Sequence, residues 1–404
     1  MRGVTWPAFD GPGGEDYSGP TMTQTLTSAE LAALVARVFV PTPEDRSLGI
    51  MIDLPDARVA DDAEWEARRQ IAAEWAELLD AQAAQVGYRT HLLFYPNVHT
   101  NNGDLPERCW IHRGGPVPRT ADELVPADAR PMAEVLDTHP MIMAVTRFSS
   151  TAPLKMAARK HPLRAATMPG FTAQMIPALR LDYTEVNRRV DILKDLMDRA
   201  TGADFVFRHP GGEDRLHLDL RYRTGHASGG LLPRRGVAGN LPSGEAYIVP
   251  YEGEREGDPS RSEGVLPVQF GVEVVRYRIA ANKAVAVLTR GPESDREAAL
   301  IAKEPAYANL AELGLGVLAA FGVKPIGAVL LDEKLGLHIA FGRSEHFGGQ
   351  VGPEAFSSPD AVVHIDRVYV PETQPDVLPV SVDLRLSDGT TLALMRDGGF
   401  GPVF

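Results

Sequence analysis

The chain alternates between short apolar runs and longer segments in which apolar residues recur every three or four positions. Over 27–39, "TSAELAALVARVF" sets a Ser/Thr cap ahead of an apolar helical stripe, and over 61–87 "DDAEWEARRQIAAEWAELLDAQAAQVG" reads as one long amphipathic helix closing on Gly87. "LGIMIDL", "THLLFYPNV", "MIMAVTRF" and "RAATM" read as buried strands, with "APLKMAARK" a helix among them. Strand and helix in alternation predict a mainly parallel sheet covered on both faces, an α/β domain of Rossmann-like class over 23–202. The helical stretch "TEVNRRVDILKDLMDRATG" closes it near Gly202.

Beyond that point the pattern shortens. "DFVFRHP", "RLHLDLRYR", "EAYIVP", "VVRYRIA", "KAVAVLTR", "IGAVLL", "LHIAFG", "AVVHIDRVYV" and "SVDLRLSDGTTLALM" read as strands separated by Gly, Pro or Asp turns, with one helix over "ESDREAALIAKEPAYANLAELG". The second domain, 203–404, is therefore expected to be α+β and mainly antiparallel. Residues 1–22, rich in Gly, Pro and acid, read as a loosely ordered lead-in.

Composition narrows the function. A length of 404 residues exceeds what one core supports, and 44% hydrophobic with 24% charged residues excludes disorder of the whole chain. A formal charge of −13 without a Lys/Arg cluster argues against nucleic acid or an anionic membrane as partner and for a small-molecule or small-peptide substrate. The single cysteine, Cys109, excludes an internal disulfide framework, which agrees with a reducing, cytoplasmic setting. No stretch approaches the ~18 apolar residues of a membrane helix. "GPGGED" is glycine-rich but follows no strand and opens no helix, so it is not a phosphate loop.

Several polar groups interrupt apolar surroundings. In "AVVHIDRVYV" the alternation of a strand puts His364 and Asp366 on one face. "RLHLDLRY" repeats that spacing at His217 and Asp219, and either pair alone is more simply a histidine bonded to its neighbour on a half-exposed strand. "LLDEKLGLHIAFG" reads as a hairpin turning near Leu335 and Gly336, which sets Glu333 and His338 on opposite arms, with Asp332 and Lys334 either in the site or in a solvated turn. Glu245 follows the turn "NLPSG", and Glu312 interrupts "LAELGLG" at a buried position expected near a helix end. A buried carboxylate requires a cation or a raised pKa. Glu245, Glu312, Glu333 and Asp366 supply four negative charges and His338 and His364 two imidazoles, so two divalent cations would balance the set.

In order and spacing, "GNLPSGEAYIVP", "AELGLG", "DEKLGLHIAFG" with a following "GG", and "HID" resemble the metal motifs of the thermophilic-type metallo-aminopeptidases, the leucyl aminopeptidase or aminopeptidase T family. The resemblance is strong over 203–404 and diffuse before it. It implies that Glu245, Glu312, Glu333, His338, His364 and Asp366 hold two ions (Zn, Co or Mn), with Glu312 bridging. It further implies water attacking an N-terminal peptide bond, and a homodimer. The sequence departs from the family where a catalytic tyrosine is expected, which here is Glu345 followed by His346, and these two are the candidates for proton transfer in its place. The family's asparagine after "ELGLG" is also absent, Val317 and Leu318 standing there.

The chain is also similar to the 2,5-dihydroxypyridine dioxygenases, which implies a single Fe(II) held by His338, His364 and Asp366. A metal-binding homologue without peptidase activity is the third reading. His99 and the Cys109/His112 pair lie where strands pass into loops near which substrate would sit, and Cys-x-x-His lacks the second pair of a structural zinc site.

Overall fold

The computed structural model describes residues 25–404, so the expected lead-in and "GPGGED" lie outside the described residues. The chain divides into two compact units, one comprising 25–184 with Gly230–Ser243 and the other Glu185–Gly229 with Gly244–Phe404. The sequence had set the change of pattern at Gly202.

In the first unit, strands Arg164–Thr167, Met141–Ala144, Ser47–Leu54 and Arg89–Pro96 lie side by side and parallel. Ala238–Asn240, from the returning segment, adds a parallel strand beside Arg164–Thr167, and Arg108–Ile111 pairs antiparallel at the other edge. Every residue of Ser47–Leu54 is buried, as befits a strand covered on both faces. Helix Ser28–Phe39 begins with a reciprocal cap, Thr27 accepting from the Glu30 amide and Glu30 from the Thr27 amide. The long helix expected over 61–87 is two pieces, Ala63–Asp80 and Ala83–Val86, because the Gln82 side chain turns back to donate to the carbonyls of Leu78 and Ser28.

The second unit holds two antiparallel sheets. Eight strands run in the order Lys283–Val287, Glu273–Ala280, Glu263–Phe270, Gly212–Asp219, Ala200–His209, Leu378–Leu386, Thr391–Arg396 and Gly399–Phe400. Five strands form the other: His364–Val368, Leu337–Gly342, Leu310–Gly316, Glu245–Ile248 and His226–Ser228. The molecule is thus mixed α/β, with parallel pairing early and antiparallel pairing late.

Three local expectations are corrected. The helix over "ESDREAALIAKEPAYANLAELG" ends at Lys303, since Pro305 lacks the N–H to continue it, and Leu310–Gly316 is a strand. Glu312 therefore sits inside a strand and not near a helix end. The hairpin in "LLDEKLGLHIAFG" does not form: Val329–Asp332 is one helical turn, because the Asp332 carboxylate accepts the amides of Ile326 and Gly327 and coils the segment. Strand Glu263–Phe270 was hidden from the sequence by Gly264 and Pro267. It meets Gly212–Asp219 only at Glu263 and Gly264, so the missing N–H of Pro267 faces no strand on that side.

Candidate metal centre

The five-stranded sheet carries the polar residues singled out above, and its pleat decides which share a face. Glu245 stands opposite Gly316 and Tyr247 opposite Gly314. Gly314 faces His338 in the next ladder, and Ala340 lies between Glu312 and Asp366. His364 faces Gly342. Acid and imidazole side chains are thus bordered in each row by glycine or alanine, with strands about 4.8 Å apart.

The glycines of "AELGLG" are required space. A Cβ at Gly314 would lie 1.8 Å from His338 Nε2, and one at Gly316 would lie 2.1 Å from the carbonyl carbon of Lys334. One glycine seats an imidazole on the sheet, and the other admits the main chain that brings Glu333 and Lys334 in.

Two ligand groups result. Donor atoms of Glu245, Glu312 and His338 all lie within 4.8 Å of one another, as do those of Glu312, His364 and Asp366. Glu312 belongs to both: its Oε1 is 3.2 Å from His338 Nε2 and its Oε2 3.3 Å from His364 Nε2. His338 directs Nδ1 to the Gly336 carbonyl at 3.2 Å and His364 directs Nδ1 to the Arg343 carbonyl at 2.8 Å. Donation from Nδ1–H leaves each Nε2 as the nitrogen able to bind a cation. Glu245 Oε2 is buried and accepts no hydrogen bond among the described residues, although it lies 3.5 Å from His338 Nε2. A carboxylate oxygen left in that condition, among imidazoles and other carboxylates, fits a divalent ion.

Glu333 enters through its neighbour. Lys334 is fully buried and its ammonium bridges Glu333 and Glu245, at 2.5 Å from Glu245 Oε1. The alternative that Lys334 and Asp332 belong to a solvated turn is overturned, since Lys334 is an ion-pair partner inside the centre and Asp332 a buried cap.

Protons balance these charges when no cation does. Burial works to lower the His338 pKa, but its bond to Glu312 and the carboxylates of Asp366 and Glu245 prevail and push it up to about 9. His364 is likewise raised against its burial, by Asp366 and Glu312. Burial would raise Glu312, yet the two imidazoles draw it down to about 2; burial would raise Asp366 too, and His364 holds it well below the usual carboxylate range. Burial raises Glu245 and carries Glu333 up to about 8 in spite of Lys334.

The remaining candidates stand outside this cluster. Glu345 is held by the Arg343 guanidinium, 2.7 Å from Nε, while the His346 ring lies 5.5 Å from that of His364 and is drawn down to about 4 by burial and by His364. His217 bonds Asp204 at 2.9 Å and Asp219 bonds Arg221 at 2.7 Å, so that pair does not act together. In the first unit His99 Nε2 meets Asp56 at 2.6 Å, Cys109 is buried with its thiol pushed up to about 12, and His112 packs edge-on against Phe94. Tyr247, which the sequence reading passed over, projects on the face of the metal-type residues. Burial first, then the carboxylates of Glu312 and Glu245, keep it a neutral phenol. The period-two pattern from Glu245 was the available signal.

Two solved structures share the fold over most of the chain. One is a 2,5-dihydroxypyridine dioxygenase from Pseudomonas putida, with TM-score 0.59 and 14% identity, covering 93% of this chain and 98% of that one. The other is wild-type AmpT from Thermus thermophilus, with TM-score 0.52 and 17% identity, covering 92% of this chain and 98% of that one. No family model matches the chain, and no curated protein matches it. Among the described residues no helix is long and apolar enough to cross a membrane.

Proposed function

We propose that this chain is a metal-dependent hydrolase of aminopeptidase type, holding two divalent cations (Zn, Co or Mn) and cleaving an N-terminal peptide bond or a related amide. The observation that carries the reading is the sharing of Glu312 between two ligand groups, one oxygen turned to each histidine. Glu245 and His338 would complete one position and His364 and Asp366 the other. When bound, divalent cations lower the pKa of coordinated water from about 15.7 towards ~7 and polarise a carbonyl oxygen.

The chain's own residues orient and balance that chemistry. Lys334 fixes the direction of the Glu245 and Glu333 carboxylates and offsets one of their charges. The Gly336 and Arg343 carbonyls hold both imidazoles in one tautomer. His364 is 20% exposed at its side chain whereas His338 is 1% exposed, so substrate approaches from the His364 side. His346, a neutral ring beside His364, is placed to relay a proton to the leaving amine.

A second reading, a mononuclear Fe(II) ring-cleaving dioxygenase using His338, His364 and Asp366, is supported by the fold shared with the Pseudomonas putida dioxygenase. Against it stands the division of the two histidines between separate ligand groups. The protein loaded with Zn, Co or Mn is to be assayed on dipeptides, and loaded with Fe(II) on hydroxylated pyridines under air and argon. Peptide cleavage supports the hydrolase, oxygen-dependent ring opening supports the dioxygenase, and metal binding with neither supports a non-catalytic homologue.

A further inference from the structure

We propose that Tyr247 is a catalytic residue, its hydroxyl donating the hydrogen bond that stabilises the substrate oxygen as water adds to the scissile carbonyl. The inference rests on the hydrolytic reading given above. It starts from a shortage of donors on the ligand face. Addition of water moves the carbonyl π pair onto oxygen, and a fixed donor aimed at that charge typically contributes about 10²- to 10³-fold in rate. Among the described residues that point from this face, Lys334 is engaged by two carboxylates and both histidines give Nδ1–H to main-chain carbonyls. Glu345, bound to Arg343, is an acceptor, and His346 beside His364 is assigned above to the leaving amine.

Tyr247 has a different standing. It follows Glu245 by two positions and so shares its face, and it stands in the row His226, Tyr247, Gly314, His338. Gly314 has no side chain, so nothing on that strand stands between the phenol and the row of His338. Its ring is held from two sides, lying 5.1 Å from His226 and near-parallel to it at 19°, and 4.8 Å from Phe347 edge-on. His226 is itself fixed by an Nε2 contact of 3.0 Å to the Phe347 carbonyl. Tyr247 is half-buried, so its hydroxyl stands at the edge of the packed face. No described residue hydrogen-bonds that hydroxyl. A rigid ring carrying an uncommitted O–H beside the carboxylates of the centre is what a preorganised donor requires. The phenol keeps its proton throughout; the amine leaves with a proton that came from the added water, and the products are the free amine and the carboxylic acid.

Tyr247→Phe tests this, since phenylalanine preserves the ring packing. The wild type and the variant are compared for bound Zn, for kcat and KM on a dipeptide, and by calorimetry for affinity towards an α-aminophosphonate, whose tetrahedral anion mimics the reacting centre. The expected result is unchanged metal content, KM within about threefold, kcat reduced about 100-fold or more, and phosphonate affinity reduced at least about tenfold. Unchanged kcat and phosphonate affinity would overturn the role of Tyr247 and leave the hydrolase reading standing. Loss of metal by the variant would also overturn it, by making the tyrosine structural. A wild type that neither cleaves dipeptides nor binds the phosphonate would remove the hydrolase reading and this inference with it.

Discussion

Glu312 concentrates the chemistry of the site because its two oxygens address two imidazoles. In the absence of a cation those imidazoles hold protons, with His338 raised to about 9 and His364 raised as well. A metal must displace them. The sign follows: up to at least about pH 9 each binding event releases protons, so apparent affinity for Zn rises with pH across that range. Calorimetry in two buffers of different ionisation enthalpy measures the release directly, and equal heats in both would contradict the assignment. Glu245, Glu312, His338, His364 and Asp366, which the structure gathers into two groups, were legible in the sequence as polar groups in apolar settings, whereas Glu333 reaches them only through Lys334. Lys334 was ambiguous there, because a Lys in "DEKLG" reads equally as a turn. Only the ladder in which Gly316 admits the Lys334 main chain buries it. Tyr247 was missed because aromatic residues in strands are ordinarily core.

At the scale of elements, the strand Leu310–Gly316 does most to build the site, presenting Glu312, Gly314 and Gly316 on one face and Leu313 and Leu315 on the other. Its period of two is visible in "AELGLG", yet the preceding helical pattern captured it in the sequence reading. Pro305 is the signal that separates them. Val329–Asp332 misled for a related reason: an apolar run of that length suits strand or helix, and a side-chain cap from Asp332 decides. Gly314→Ala is predicted to leave the sheet folded and to weaken Zn binding at least about tenfold, since the new methyl would occupy the place of the His338 ring. Circular dichroism with equilibrium dialysis checks both halves, and tight binding by the variant would show that the ring can move aside.

The whole molecule joins a parallel-sheet unit to an antiparallel one, and the hydrophobic period separated those two patterns while long-range pairing stayed hidden. Ala238–Asn240 returns to the first unit from beyond 202, a contact no local pattern announces. That unit also contains a buried ion pair, Arg164 with Asp45 at 2.9 Å, in which Arg164 further donates to the Phe39 carbonyl. Burial would raise the Asp45 carboxyl, but Arg164 and Thr42 hold it far below the usual range. A depressed folded pKa gives stability that is present above the unfolded value of about 3.9 and lost as pH falls through the folded one. Asp45→Ala strands the Arg164 guanidinium and is expected to cost about 3–5 kcal/mol in urea denaturation, while Zn binding in the other unit persists. A cost below about 1 kcal/mol would contradict the pairing as described.

The account turns on Glu312 serving two cations at once. The most direct measurement is metal content per chain after dialysis against Zn, by elemental analysis, for the wild type and for Glu312→Ala. Two equivalents in the wild type, with bound metal and peptide cleavage both lost in the variant, is the predicted result; one equivalent or none in the wild type, or a variant that keeps both metal and turnover, would contradict it.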